Sequence, residues 1–362
     1  MTNRIFNFSA GPATLPLPVL EQAQAELLSY PGVGASVMEI SHRSKAFSAI
    51  LEEAKSNIKT LLGASDDYAV LFTPGGATMQ FSMLAMNFLK GGTADYLHVG
   101  SWATKAIKDA NRFGIARTAW SGKEEGFKRM PDNSELDLDS SAAYVHFTSN
   151  ETIQGIQFAE EPDVNAKPLF CDASSDFLCR PTDINKYALL YAGAQKNVGP
   201  SGTAVVVLHK GMLAEVPDDL PPLLDYKVMV ENDSLYNTPA SFTIYIIALV
   251  TRWLLKDIGG LEKMEALNRK KAQLLYDTID NSDGFYRGHA AAPSRSLMNV
   301  TFRVGNEDQE QLFLKQATEA GLDGLKGHRS VGGCRASIYN AMPLSGVETL
   351  RDFMIEFQKK NG

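Results

Sequence analysis

Cysteine is scarce in this chain of 362 residues: there are three, Cys171, Cys179 and Cys334. They form no CxxC pair and no Cys/His cluster. Neither a disulfide framework nor a zinc site is expected, no metal ligand is assigned, and the thiols are read as reduced. Positive charge is not in excess. Lysine and arginine number 35 against 42 aspartates and glutamates, a net charge of -7, which argues against the basic face of a nucleic-acid binder. Long apolar runs are missing too. The most membrane-like stretch, residues 242–255, is too short to span and carries Arg252. The N-terminal MTNRIFNFSAGPATLP has no uninterrupted apolar core of signal-peptide length. There is no internal repeat, no low-complexity segment, no GxGxxG and no GxxxxGK[ST] loop. What remains is the expectation of a soluble, cytoplasmic protein whose length suits two domains better than one or three.

What is present is organised around residues 187–202, YALLYAGAQKNVGPSG. An apolar run of strand length, 188–192, leads to Gln195 and Lys196 and then to a turn rich in Gly, Pro and Ser. A lysine at the end of a buried strand is an odd place for a solvated ammonium. Burial lowers its proton affinity and makes it a nucleophile, the chemistry of Schiff-base lysines. The bland alternative is a lysine that reaches back to water.

In chain order, Ser9-Ala10-Gly11-Pro12 reads as an extended arm, and a helix is expected from about 18 to 29. Ser44 is the expected N-cap of a helix to Leu62, with Phe47, Ile50, Leu51, Ala54, Ile58 and Leu61 at helical spacing and Gly63 to end it. His42 and Arg43 then lie in the loop before a helix, where donors can point at an anion. Residues 68–73 read as a strand, 74–78 (PGGAT) as a glycine loop, and the next residues as a helix with Met79, Met83, Met86 and Phe88 on its apolar side. Strand, glycine loop and helix together can cradle a phosphate on backbone N–H groups. Residues 96–99 form a strand before a helix of 101–113 that begins with Ser101-Trp102. Residues 143–147 form another, before the polar loop TSNETIQG. A strand ending at Cys171 leads to Asp172, with Asp176 a rival acid in the same loop. Residues 204–208, AVVVL, read as a buried strand, and Asn237-Thr238-Pro239 as a polar turn before an apolar helix of 242–256. Strands alternating with helices indicate α/β architecture with a mostly parallel sheet covered on both faces. Beyond residue 257 come a helix of 261–279, an alternating strand of 298–304, a helix of 308–320, the segment 328–335, a strand of 336–340, and a last helix opened by a Ser345/Glu348 capping box. The expected organisation is an arm, 1–17, a large domain, 18–256, and a smaller α+β domain, 257–362.

A glycine phosphate loop, a tryptophan, a strand-end acid and a strand-end lysine occur in one order. Pyridoxal phosphate needs each: donors for its phosphate, a flat face for its ring, a carboxylate for its pyridine nitrogen, and a lysine for its aldehyde. The chain also carries FSAGP, MEISHRS, GGATMQFS, GSW, NETIQG, AQKNVGPSG, NTP and HRSVGGCRASIYNAMP. With these motifs, spread from Phe8 to Pro343, it resembles the phosphoserine aminotransferase family in the class V branch of fold-type I pyridoxal-phosphate enzymes. The resemblance implies that Lys196 is the Schiff-base lysine and the acid and base of the 1,3-proton shift. It implies that Asp172, rather than Asp176, partners the pyridine nitrogen, and that Trp102 stacks on the ring. Gly76, Ala77 and Thr78 would form the phosphate loop, and Thr152 and Gln195 would bond the cofactor. Asn237 and Thr238 would reach the cofactor phosphate of the neighbouring subunit, in a homodimer with shared sites. Arg335 would fork onto the substrate α-carboxylate, and His42, Arg43, His328 and Arg329 would face the substrate phosphate or the distal carboxylate, with Ser9 nearby. The implied reaction moves an amino group from glutamate to 3-phosphohydroxypyruvate by a ping-pong route in serine biosynthesis. The phosphohydroxythreonine step of pyridoxine synthesis is left open. One departure is Ala77-Thr78, where some members carry an arginine. Alternatives are another class V activity, such as alanine–glyoxylate transamination or a desulfuration that would need a mobile catalytic cysteine, and a nucleotide-dependent dehydrogenase using residues 74–78.

Overall fold

The segment Thr203–His209, TAVVVLH, is rich in β-branched residues, which suit a strand buried on both faces. In the computed structural model, which describes residues 4–362, it lies one strand in from the edge of a seven-stranded sheet. The strands are β1 (Tyr68–Pro74), β2 (Thr93–His98), β3 (Ile115–Ser121), β4 (Val145–Thr148), β5 (Leu169–Asp172), β6 (Leu189–Gly193) and β7 (Thr203–His209). Their spatial order is β1-β7-β6-β5-β4-β2-β3. Strand β7 is antiparallel to both its neighbours, and every other pair is parallel. Two antiparallel steps restore direction, so β1 ends at the same edge of the sheet as β6. The period of two sends Val205 and Val207 into one apolar cluster and Val206 and Leu208 into the other. The first cluster is covered by the helices Lys45–Leu62 and Ser241–Trp253, the second by Ala77–Phe88 and Ser101–Ala110.

Local chemistry sets the helix ends. Ser44 Oγ accepts from the Phe47 N–H at 3.2 Å, and Gly63 closes the helix with φ of 62°. The Ser241–Trp253 helix runs into a wider turn, Leu254–Ile258, and stops at Gly259 and Gly260, both at positive φ. Beyond it, β8 (Tyr286–Gly288), β9 (Asn299–Val304) and β10 (Cys334–Ser337) form an antiparallel sheet. The helices Leu261–Asp280, Glu307–Glu319 and Leu344–Asn361 bury its inner face in a separate core. The N-terminal arm crosses between the two sheets. Phe6 and Asn7 pair with Leu322 and Asp323, Phe8 O accepts from Ser337 N at 3.1 Å, and the Ala13 N–H donates to Gln195 O at 2.9 Å.

Three local expectations are corrected. The first helix, Leu17–Glu26, is capped at Leu27 and does not reach residue 29. The last helix starts at Leu344 behind Pro343, one residue earlier than expected, so Ser345 lies inside the first turn and no side chain caps the end. Met79 is 41% exposed, because Gly76 caps its helix and Met79 falls in the first turn on the outer side. Gln80, Phe81, Leu84 and Asn87 share the buried face instead with Met83 and Phe88.

Candidate active site

In a mostly parallel sheet, ligands gather outside the carboxyl ends of the strands. That edge here carries the glycine loop after β1, Trp102 after β2, the loop after β4, Asp172 at the end of β5 and Lys196 after β6. Lys196 is not on the strand itself. It follows β6 on a single helical turn, Ala194–Asn197, which turns its side chain back over the sheet edge. The Lys196 Nζ donates to Thr152 Oγ1 at 2.7 Å and to Ser175 Oγ at 3.1 Å, and those hydroxyls bond each other at 2.6 Å. Burial lowers the Lys196 pKa to about 8, against the opposing pull of Asp172 and Glu151. Its Nζ stands 5.0 Å from the Trp102 ring centroid. Burial alone does not single it out. Lys271 is buried more fully, with a pKa lowered to about 7, but its ammonium donates to the carbonyls of Ile338, Tyr339 and Met342. Lys271 ties the small core together, whereas Lys196 faces hydroxyls, an indole and an acid.

The two rival acids are separated by their partners. Asp176 is engaged on both oxygens, by Ser149 Oγ and by Gln157 Nε2. Asp172 accepts from Ser174 N at 2.9 Å and Ser174 Oγ at 2.6 Å on Oδ1 alone. Its Oδ2 accepts from no donor among the described residues. Burial raises the Asp172 carboxyl and Lys196 opposes the rise. Asp172 is therefore the acid with an oxygen left for a ligand.

The glycine loop supplies donors. Gly75 and Gly76 have φ of 89° and 79°, which favours glycine, and Gly76 precedes the helix start at Ala77. The N–H groups of Ala77 and Thr78 have no acceptor among the described residues, as expected in a first helical turn. Gly193 leaves room here, since a Cβ on it would sit 3.3 Å from that of Ala77. A flat, phosphorylated ring with an aldehyde and a ring nitrogen fits this set: free N–H groups at a helix start, an indole face, one open carboxylate oxygen and an amine. Gln195 is bonded through its carbonyl to the arm, and its side chain lies against Gly11.

Arg335 lies on β10, beside Thr301. It has no ion-pair partner among the described residues, and its buried Nε makes no hydrogen bond. Burial lowers its pKa. A guanidinium held without a counter-charge awaits an anion. His328 bonds Ser330 through Nδ1 at 2.7 Å, and its pKa is lowered by burial and then by the nearby cations Arg335, Lys105 and Arg329. Arg329 is exposed. Ser9 lies on the arm against Gly324, where a Cβ would sit 2.5 Å from its Oγ. His42, Arg43, Asn237 and Thr238 make no bond to the lysine group within one chain. Arg43 and Thr238 are exposed, and His42 and Asn237 half-buried. The free cysteines Cys171, Cys179 and Cys334 are all buried with pKa values raised by burial, so none is a mobile nucleophile.

Two features of the site were not foreseen. Ser175 shares the lysine with Thr152. Glu151, fully buried, accepts from the N–H groups of Trp102 at 2.9 Å and Ala103 at 2.8 Å and so caps the helix that presents the indole. Gly100 makes room for it, since a Cβ there would lie 2.5 Å from the Glu151 carboxyl carbon. Gln154 completes the clamp, bonding Ser101 Oγ at 2.8 Å, while its carbonyl accepts from Thr301 Oγ1 at 2.9 Å. The only advance signal was a polar stretch directly after a strand.

Burial pushes the Glu151 carboxyl up to about 7 from its ordinary value of 4.5. The folded chain thus keeps a proton that the unfolded chain releases. This contribution to stability is complete below the unfolded value and is lost as pH rises through 7, by about 3 kcal/mol. Glu151→Gln keeps an acceptor and removes the titration. Urea unfolding of the cofactor-free chain at about pH 5 and about pH 8 should show a smaller fall in stability for the variant. An equal fall in both proteins would refute the assignment.

Comparison with known proteins gives a consistent picture. The model of the aminotransferase class V family matches residues 5–350. A phosphoserine aminotransferase of Desulfosudis oleivorans is 54% identical, over 100% of both chains. The solved structure of phosphoserine aminotransferase from Bacillus circulans subsp. alkalophilus superposes with a TM-score of 0.97 at 50% identity, again over 100% of both chains. The PLP-bound enzyme of that name from Trichomonas vaginalis gives 0.91 at 38% identity, covering 97% of this chain and 100% of that one. The chain belongs to the class V aminotransferase family.

Proposed function

We propose that the chain transfers an amino group between L-glutamate and 3-phosphohydroxypyruvate, giving O-phospho-L-serine and 2-oxoglutarate, with pyridoxal 5'-phosphate as cofactor. The observation that supports this most is the bonding of the Lys196 amine to Thr152 and Ser175, 5.0 Å from the Trp102 ring. The substrate pair follows from the names of the full-length relatives and agrees with the charges of the site. Both substrates carry an α-carboxylate and a second anion, and Arg335 is a guanidinium without a counter-charge.

When bound, the cofactor supplies an aldehyde that takes up amines and a ring that withdraws electrons from the substrate carbon. The chain's residues do the rest. The N–H groups of Gly76, Ala77 and Thr78 hold the phosphate, Trp102 orients the ring, and Asp172 Oδ2 holds a proton at the ring nitrogen. Lys196 Nζ provides the attaching amine. With a pKa near 8 it can then accept a proton from the substrate carbon and return it close to neutral pH. Thr152 and Ser175 keep that nitrogen aimed, and Arg335 fixes the α-carboxylate and with it the angle of the reacting C–H bond.

The half-reactions test the reading. Glutamate alone should bleach the visible absorption of the holoenzyme, and 3-phosphohydroxypyruvate should restore it. O-phosphoserine should bleach it far more effectively than serine. No change with glutamate would overturn the proposal.

We also propose a homodimer in which His42, Arg43, Asn237 and Thr238 of the partner subunit complete the site. Apolar side chains stand exposed close to these residues in sequence: Met38 at 57% and Tyr236 at 49%. A fully active species that sediments at the mass of one chain, 39.5 kDa, would contradict it.

A further inference from the structure

Alternation along β9 divides its residues. Val300, Phe302 and Val304 point into the small core, and Thr301 and Arg303 point away from it. The register carries the division across the sheet, with Arg287 of β8 opposite Arg303 and Arg335 of β10 opposite Thr301. His289 follows β8 and donates its N–H to Thr301 O at 3.3 Å. The outer face of the sheet is thus basic. It looks onto a cavity of about 460 Å³ whose far wall is Lys128, Ile153 and Gln154 of the large unit. Lys128, Arg287, His289, Arg303, His328 and Arg335 all line it, and no aspartate or glutamate does.

Little of this charge is neutralised locally. Arg303 pairs with Glu310 at 3.2 Å. Arg287 donates only to carbonyls, those of Gly284 and Gly305, and His289 Nε2 meets Phe127 O at 3.2 Å. Lys128 and Arg335 have no ion-pair partner among the described residues. On a chain of net charge -7, such a concentration of cations in a walled cleft focuses the field on small anions. The volume suits a compact ligand. Of these residues only Arg335 and His328 were assigned to substrate by the family resemblance.

We propose that this cleft is a second anion-binding station, a vestibule leading to Arg335. It takes the charged end of a small phosphate monoester or dicarboxylate before that ligand reaches the amine of Lys196. The proposal rests on the aminotransferase reading above. It accounts for how a chain with Ala77-Thr78 in its glycine loop gathers dianions: they are captured on the small sheet and passed inward.

The test uses the holoenzyme and two variants, Lys128→Gln, which removes no side-chain bond of the fold, and Lys128→Gln with Arg287→Gln. The association rate of glutamate, from stopped-flow bleaching, should be about 10-fold lower in the double variant at low ionic strength, with the two proteins converging at high salt. Inorganic phosphate should protect Lys128 from an amine-reactive reagent in the wild-type holoenzyme, read by mass spectrometry. Equal rates and salt slopes in all three proteins, or labelling of Lys128 that phosphate does not slow, would overturn the vestibule. A holoenzyme that glutamate does not bleach at all would overturn the aminotransferase reading instead, and phosphate protection of Lys128 would still report on the cleft.

Discussion

Lys196→Ala should lower turnover by roughly 10⁴-fold or more, because one amine both attaches the cofactor and moves the proton. The loss should not come from unfolding. The substitution removes a half-buried ammonium whose pKa burial has already lowered, and it leaves Thr152 and Ser175 bonded to each other at 2.6 Å. Thermal unfolding of the cofactor-free variant should match wild type or exceed it. Borohydride reduction followed by peptide mapping should find a pyridoxyl adduct on Lys196 in the wild-type chain and none in the variant. An adduct on Lys271 instead would shift the site to the helix Leu261–Asp280, but that ammonium is committed to the main-chain carbonyls of residues 338–340 and 342.

Arg335→Gln should reduce kcat/KM for both amino donors by about 10²-fold or more, the usual consequence of losing one side of a desolvated, charge-assisted pair. The free chain should lose no stability, since Arg335 makes no ion pair there and its Nε is already buried without a bond. Arg335→Lys should recover only part of the loss, because a point charge cannot reproduce the two parallel bonds of a guanidinium. Steady-state kinetics with glutamate and O-phosphoserine decides the matter. A variant that binds glutamate normally but unfolds more easily would make Arg335 a structural residue.

The sheet edge was legible in the sequence because each strand is a short apolar run followed at once by polar or glycine-rich residues. That pattern placed Gly76, Trp102, Thr152 and Asp172 at one edge with Lys196, and the structure adds the bonds. The preference for Asp172 over Asp176 came from family resemblance. Its physical reason, the double engagement of Asp176 by Ser149 and Gln157, depends on side chains from another loop. Glu151 looked like one more polar loop residue. Its burial depends on Gly100, fifty-one positions earlier and distant in the chain, coming close enough to exclude a Cβ. The basic face of the small sheet is partly visible as a period of two in Arg287 and His289 and in Thr301 and Arg303. Its far wall is not, since Lys128 arrives from a segment more than 150 residues earlier in the chain. His42 and Arg43 read as a loop before a helix and Asn237-Thr238 as a polar turn, but within one chain neither pair bonds the lysine group.

The N-terminal arm has a consequence for biosynthesis. Its residues precede both sheets in the chain, yet Phe6 waits for Leu322, Phe8 for Ser337, and the Ala10 carbonyl for the Tyr339 hydroxyl. The same arm bonds the turn that carries Lys196, through Ala13 and Gln195. Contacts between residues so far apart in sequence form late, because the whole stretch between them must exist before they can close. The large sheet closes on contacts within residues 68–209, but the completed pocket waits for the segment around 322–339. Cofactor loading is therefore expected to follow the docking of the arm rather than the folding of the large sheet alone.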